Sequence, residues 1–396
     1  MAPTVEPTQT ASPTPAPAFP VTIIDDEGTS VALKAEPRKI VSLTPATTEI
    51  LFALGAGPRV VATTDFDDYP PEAVALPDVA SYTAVDVEKI VGLEPDLVVA
   101  GGNLFNPPEA IARLRALGIP VIVVYAPNVA GVLKDITLIG SAVGLPDAAA
   151  EMTTTMRARF DAVSTATAGL PKPRAFYELD TSTGTIYTVA DRSFSAEMIG
   201  LAGGDPITTG SPTDYSISLE KLIKADPELI LLGDAAYGVT PDQVKSRAGW
   251  NVMTAVKTNA IRAVNDLIIT RPGPRLVEGL RELALAIHPG LVLPAAGPIP
   301  AGPCARRWRP TARRSQPPGQ WPRGRVASGI DPSSWSVSGS SRSSWRWSLA
   351  SGSGRSRSNP AIRSRSSPIG FLVLTSPGHG PTRRRPSSST FACRGS

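Results

Sequence analysis

Chemistry that depends on imidazole or thiolate has little to work with in this chain of 396 residues, whose histidines are His288 and His379 and whose cysteines are Cys304 and Cys393. A transition-metal site built from protein ligands needs several such groups converging, and a Ser-His-Asp triad needs a histidine beside its nucleophile. Both cysteines lie in the last hundred residues, so the body has no disulfide framework and no thiol nucleophile. Carboxylates offer another route, with Asp65, Asp67, Asp68 and Asp266 as the acid and base of a carboxylate-dependent hydrolase. Acidic loop residues are usually solvated, and no spacing here fixes two of them at a catalytic separation; the expectation is a protein that is not an enzyme. Gly101-Gly102 and Gly203-Gly204 follow apolar segments but form neither GxGxxG nor a P-loop. The loops are notable instead for aromatics: Phe66 and Tyr69 in DFDDYPP, Tyr82 in ASYTAVDVE, and Tyr215 in TDYSISLE. Such faces suit a large flat ligand with much apolar area and few groups to hydrogen-bond.

The segments around these loops alternate between helix and buried strand. VTIIDDEGTSVAL reads as a hairpin. RKIVSL is a strand leading into TPATTEILFALGAG, where Thr44 caps a helix, Pro45 suits its first position and Gly55 ends it. RVVATT, PDLVVAGG and IPVIVVYA follow as strands separated by VDVEKIVGL and PPEAIARLRALG as helices. This order predicts a parallel sheet covered by helices on both faces. From Asp135 to about Gly169 the pattern is helical, with a break near Gly144 to Pro146. The alternation then resumes through RAFYELD, TIYTV, SAEMIGLAGG, ISLEKLIKA, ELILLGD, AIRAVND and PRLVEGLRELALAIH. The fold class expected is α/β: two lobes, each containing a parallel sheet, joined by one long backbone helix with a ligand cleft between them. The expected boundaries are a spacer over 1–20, an N-terminal lobe over 21–146, the connecting helix over 147–170 and a C-terminal lobe over 171–296.

An internal repeat supports two lobes of one design. VDVEKIVGLEPDLVVAG (85–101) and ISLEKLIKADPELILLG (217–233) stand 132 residues apart, and Glu88, Lys89, Pro95, Leu97 and Gly101 match Glu220, Lys221, Pro227, Leu229 and Gly233. Each copy is an amphipathic helix, an acidic-Pro turn and a buried strand ending at glycine. Tyr82 and Tyr215 stand six and five residues before the repeated glutamates, so the lobes offer matching aromatic walls.

The run KIVSLTPATTEILFALGAGPRVVATTDFDDYPPEA, followed by EKIVGLEPDLVVAGG, resembles the periplasmic substrate-binding proteins of ABC importers for cobalamin, iron-siderophores and haem. The likeness spans roughly residues 20–289. It implies an extracytoplasmic protein that binds a metal chelate, such as a ferric siderophore or cobalamin, and delivers it to a permease; a haem-binding member is the alternative. The metal, cobalt or iron, then arrives within the ligand, and no intrinsic cofactor is implied. The family's docking glutamates, one per lobe, carry over onto Glu88 and Glu220, where they would meet arginines of a two-fold symmetric permease dimer. Ligand contacts are expected from Phe66, Tyr69, Tyr82, Gly101, Gly102 and Tyr215, with Asp266 and Arg271 matching a polar loop that touches ligand in some members. Cobalamin binders commonly carry Trp where this chain has Tyr82, Tyr215 and the Gly101-Gly102 pair, which leaves cobalamin and a ferric chelate both open. A monomer is expected.

The chain's net charge of +4 averages two unlike parts. Residues 297–396 hold 17 Arg, no Lys, 23 Ser and one acid, Asp331, a net of +16; residues 1–296 carry −12. No nucleic-acid partner follows from the basic balance, because the charge sits in a Ser/Arg tail with too few aliphatic runs to bury a core. The body has nine lysines and the tail none, a shift that points to a frameshifted C-terminus. At the other end, MAPTVEPTQTASPTPAPAFP is a Pro/Thr/Ala spacer without a signal's basic start and apolar stretch. Such a spacer follows the lipid-bearing cysteine of anchored lipoproteins, so the expectation is a periplasmic or outer-face lipoprotein whose start codon is called late.

Overall fold

A computed structural model describes residues 19–81, 84–102 and 105–294, all within one compact unit. Nearly all of the spacer, Tyr82 and the basic tail lie outside the described residues. The chain begins with a hairpin, β1 (Val21–Ile24) and β2 (Ser30–Leu33). The first lobe then runs β3 (Ile40–Ser42), α1 (Pro45–Leu54), β4 (Val60–Thr64), α2 (Pro71–Val74), β5 (Asp78–Ala80), α3 (Val87–Leu93), β6 (Leu97–Gly101), α4 (Pro108–Ala116), β7 (Val121–Val124) and α5 (Val129–Ala142). Its five strands form a parallel sheet in the order β5-β4-β3-β6-β7. A 22-residue helix, α6 (Pro146–Thr167), leads to the second lobe.

That lobe contains β8 (Arg174–Glu178), β9 (Ile186–Tyr187), α7 (Phe194–Leu201), β10 (Asp205–Pro206), β11 (Ser216–Ile217), α8 (Leu219–Ala225), β12 (Leu229–Leu232), α9 (Pro241–Lys245), α10 (Thr254–Lys257), β13 (Ile261–Ala263), α11 (Asp266–Thr270) and α12 (Leu276–Ile287). Four of its strands form a parallel sheet, β10-β8-β12-β13. The TIYTV segment is not part of that sheet. Gly184 reverses the chain, Tyr187 N–H returns to Asp180 O at 2.9 Å, and β9 pairs antiparallel with β11 in a separate ribbon.

The central strands are buried on both faces, and their side chains alternate between cores. Leu97 and Val99 of β6 point into one core while Val98 and Ala100 point into another; Leu229 and Leu231 of β12 alternate with Ile230 and Leu232 in the same way. The first of these cores is shared by the lobes. It includes Leu51 of α1, Ile136 of α5, Met152, Met156 and Phe160 of α6, Ile199 of α7, and Leu280 and Leu283 of α12. The connecting helix is therefore packed against both lobes.

Local caps explain where elements begin and end. Thr47 N–H donates to the Thr44 hydroxyl at 3.3 Å at the start of α1, and Gly55 closes the helix at φ 95°, a left-handed conformation that costs glycine little. The sequence repeat is a repeat in three dimensions. Lys89 N–H donates to Asp86 at 2.9 Å at the start of α3, and Lys221 N–H to Ser218 at 3.2 Å at the start of α8. Both helices end on a left-handed acidic residue before proline, Glu94 at φ 50° and Asp226 at φ 46°. In each copy the acid after that proline stitches the next strand in place: Asp96 accepts from Arg38 N–H at 2.8 Å and Lys39 N–H at 2.9 Å, and Glu228 from Arg174 N–H at 2.9 Å.

Candidate functional site

Loops leaving the carboxyl ends of parallel strands are where open α/β sheets gather ligands. Tyr69 follows β4, Tyr125 follows β7, and Tyr237 lies in a short 3-10 turn (Gly233–Tyr237) after β12; Tyr215 immediately precedes β11. All four stay 42–44% exposed, more than the buried aromatics Phe176, Tyr177 and Trp250 of the cores. Tyr69 and Tyr125 belong to the N-terminal lobe, Tyr215 and Tyr237 to the C-terminal lobe. The Arg275 guanidinium, from the C-terminal lobe, lies 4.2 Å from the ring centre of Tyr69, from the N-terminal lobe. Partial burial and the Tyr125 phenol across the seam between the lobes both push the Tyr215 hydroxyl upward. Burial also raises Tyr237, as do Asp266 and Asp68, while Arg271 opposes them.

Beside Tyr69 and Tyr237 an ion network ties the lobes. Glu49, buried in α1, receives Arg275 Nε at 2.9 Å and Nη2 at 2.5 Å, with Arg271 Nη1 3.5 Å away. Arg271 also forms a two-point pair with Asp68, one arm at 3.1 Å. Gly273 sits between the two arginines and close to the Glu49 carboxylate.

The residues expected at the site fall into distinct settings. Tyr69 and Tyr215 stand in the cleft, and Phe66 is half-buried in the same loop as Tyr69. Gly101 and Gly102 are buried, and close packing accounts for both. A Cβ on Gly101 would stand 2.7 Å from Thr44 Cγ2, and one on Gly102 3.1 Å from the Tyr125 ring. Asn106 reinforces this corner, accepting from Gly101 N–H at 2.7 Å and donating to Leu43 O at 3.1 Å. Arg271 is engaged by Asp68 and Glu49. Asp266 accepts the Tyr177 hydroxyl at 2.8 Å and that of Thr270 at 3.2 Å, and burial raises its pKa against those bonds. Glu88 projects from the first turn of α3 with 88% of its side chain exposed and Arg113 at 3.8 Å; Glu220 is exposed at the same position of α8.

Several site residues are absent from the sequence expectation. Tyr125 and Tyr237 each end a segment whose apolar run marks a strand, IPVIVVYA and ELILLGDAAYG, so strand-end position was the available signal. Glu49 and Arg275 carried none, since each reads as an ordinary charge on a helix. A buried acid pair near Tyr237 also went unmarked: Glu178 is held by Arg247 at 2.6 and 2.7 Å, and Asp234, raised by burial and by Glu178, has no hydrogen-bond partner for either carboxylate oxygen among the described residues. No group of three or more His, Cys, Asp or Glu among the described residues is placed to hold a metal ion.

Residues 40–266, more than half of the chain, match the family model described as periplasmic binding protein. The chain belongs to that family. An uncharacterized ABC transporter substrate-binding lipoprotein of Bacillus subtilis is 34% identical over 276 residues, covering 68% of this chain and 86% of that protein. A cobalamin-binding protein of Halobacterium salinarum is 32% identical over 293 residues, covering 71% and 78%. Among solved structures, the periplasmic vitamin B12 binding protein of Vibrio cholerae aligns with a TM-score of 0.56 and 28% identity over 63% of this chain and 96% of that one. Haem-binding periplasmic proteins share the fold too. These relatives are binding proteins, and a two-lobed periplasmic binding protein is what the sheets and seam of this chain form. No helix among the described residues is long and apolar enough to cross a membrane.

Proposed function

We propose that the protein is the extracytoplasmic solute-binding component of an ABC importer, in the periplasm or at the outer face of the cell membrane as a lipoprotein, and that it carries a corrinoid such as cobalamin. The observation that carries this reading is the set of four half-exposed tyrosines, Tyr69 and Tyr125 from one lobe and Tyr215 and Tyr237 from the other, with Arg275 packed on Tyr69 and Tyr125 within electrostatic reach of Tyr215 across the lobes. Their rings supply flat apolar area, and their hydroxyls can pair with the carboxamides that rim a corrin. Cobalt arrives inside the ligand. The cobalamin-binding relative at 32% identity supports a corrinoid over a ferric siderophore. A haem alternative would have to ligate iron through a tyrosine, since the one described histidine, His288, ends α12 with Nε2 3.2 Å from Gly203 O.

The loaded monomer docks through Glu88 and Glu220. Equivalent placement on two helices of one design, with equivalent caps, gives a two-fold permease two matching carboxylates. The full chain titrated with cyanocobalamin, a ferric siderophore and haemin, followed by intrinsic fluorescence, is expected to show saturable binding of one cyanocobalamin per chain. Tighter binding of either of the other two, or binding of none, overturns the corrinoid reading. The docking reading is tested separately: the Glu88→Arg, Glu220→Arg double variant keeps its ligand affinity and loses uptake, and a loss of affinity instead would put the glutamates in the cleft.

A further inference from the structure

Asp135 lies in the middle of α5 with almost no exposed surface, and its Oδ1 has no hydrogen-bond partner among the described residues. Capture of a ligand by the tyrosines makes no direct use of it. Beside it is Asp26, in the turn between β1 and β2. Asp26 Oδ2 accepts the backbone N–H of Tyr125 at 2.6 Å, and Oδ1 accepts Lys134 Nζ at 2.5 Å. The same turn grips the end of β7 through two further bonds: Asp26 N–H donates to Val123 O at 3.0 Å, and Asp25 Oδ2 accepts Val123 N–H at 3.1 Å. Arg115 of α4 holds Asp25 at 2.8 Å. The residue that emerges from this grip is Tyr125, whose ring lies over Gly102.

We propose that Asp135 and Asp26 share a proton and together position Tyr125, which makes the N-terminal hairpin a working part of the ligand wall. The proposal rests on Tyr125 being a ligand contact. Burial, then the bond to Asp26, pushes the Asp135 carboxyl up to about 8. Burial also raises Asp26, but the bonds from Lys134, Tyr125 N–H and Asp135 outweigh it and keep Asp26 ionised. The charged groups facing the pair among the described residues are Asp25 from the hairpin turn, Lys134 from α5 and Arg115 from α4. Lys134 offsets Asp26 and Arg115 offsets Asp25, so a charge on Asp135 is left without its own counter-ion. When Asp135 releases its proton to solvent, the two carboxylates repel, the turn moves off α5, and the Asp26 bond to the Tyr125 amide is the contact that loosens.

The full chain with 15N-labelled tyrosine tests this, with the Tyr125 amide identified by its disappearance in Tyr125→Phe. Between pH 6 and 9 that resonance is expected to shift with an inflection near 8. Asp135→Asn, whose carboxamide donates to Asp26 at every pH, removes the inflection. Asp26→Asn, a second variant should the first fail to fold, removes the acceptor charge and also abolishes the inflection. Cyanocobalamin affinity falls about tenfold over the same range in the wild type and stays level in Asp135→Asn. A flat Tyr125 titration in the wild type, or an inflection surviving in Asp135→Asn, overturns the proposal. The expected amide behaviour with no cyanocobalamin bound supports the positioning and overturns the corrinoid reading alone.

Discussion

Glu49 is the residue on which the seam depends most. Its carboxylate is buried, accepts two bonds from Arg275 and lies near Arg271, so its neighbours were desolvated on the condition that it be charged. Removing one member of such a network leaves the others uncompensated, whereas the intact network adds little over a well-packed apolar substitute. Glu49→Ala is expected to lower unfolding stability by about 3 kcal/mol in urea denaturation, and a loss below about 1 kcal/mol would mean that water already screens the site. If the exposed tyrosines contact ligand as proposed, their loss acts on binding rather than folding. Tyr69→Ala and Tyr237→Ala, each removing a half-exposed ring, are expected to weaken cyanocobalamin roughly tenfold with little change in melting temperature. Sequence reading reaches Tyr69 and Tyr215 because aromatics in polar loops need a reason to be there. It misses Glu49 because TPATTEILF reads as an amphipathic helix with a solvated acid; only folding brings Arg275, 226 residues later, against it.

The helix-turn-strand repeat is legible in the sequence for the opposite reason. All of its determinants are local: an N-cap, two apolar turns of helix, an acidic residue before proline and a strand buried on both faces. The structure adds what no spacing shows, that Lys89 reaches Asp78 O and Lys221 reaches Thr209 O, each lysine tying its helix back to the segment that leads to an aromatic loop. Thr209 passes this on, its hydroxyl bonding Asp214 O at 2.6 Å one residue before Tyr215. The short ribbon of β9 and β11 was not legible as such, because TIYTV has the composition of a sheet strand and only the reversal at Gly184 diverts it. If the two copies are equivalent units, their caps carry equal weight. Asp86→Ala and Ser218→Ala are each expected to cost about 1 kcal/mol, and the double variant their sum, because the two sites share no partner. Unequal costs in urea denaturation would show that one copy is held chiefly by its lobe.

Over the whole molecule, α6 and α12 belong to a core that reaches from α1 in one lobe to β12 in the other, so the lobes cannot separate widely without exposing apolar surface. Ligand capture is then a small adjustment of loops at the seam, and unfolding is one cooperative event in which both lobes participate. That cooperativity makes two buried acids in different lobes report on the same equilibrium. Asp135 in the first lobe titrates near 8, and Asp234 in the second is raised in the same direction by burial and by Glu178. Both bind protons more tightly folded than unfolded, so their contribution is complete below the ordinary value of 3.8, is given up as pH rises, and is gone above about 8. Asp26, Asp214 and Asp226, lowered by their hydrogen bonds, act with the opposite sign and lose their contribution only in acid. Melting temperature is therefore expected to fall as pH rises from about 4 to about 8 and to level off above it. The Asp135→Asn, Asp234→Asn double variant replaces both titrating carboxyls with neutral amides and flattens that limb. At pH 9 it should melt above the wild type, and at pH 5 no higher. Parallel melting curves for the two proteins across this range would assign the loss to other groups and remove the buried acids from the account of stability.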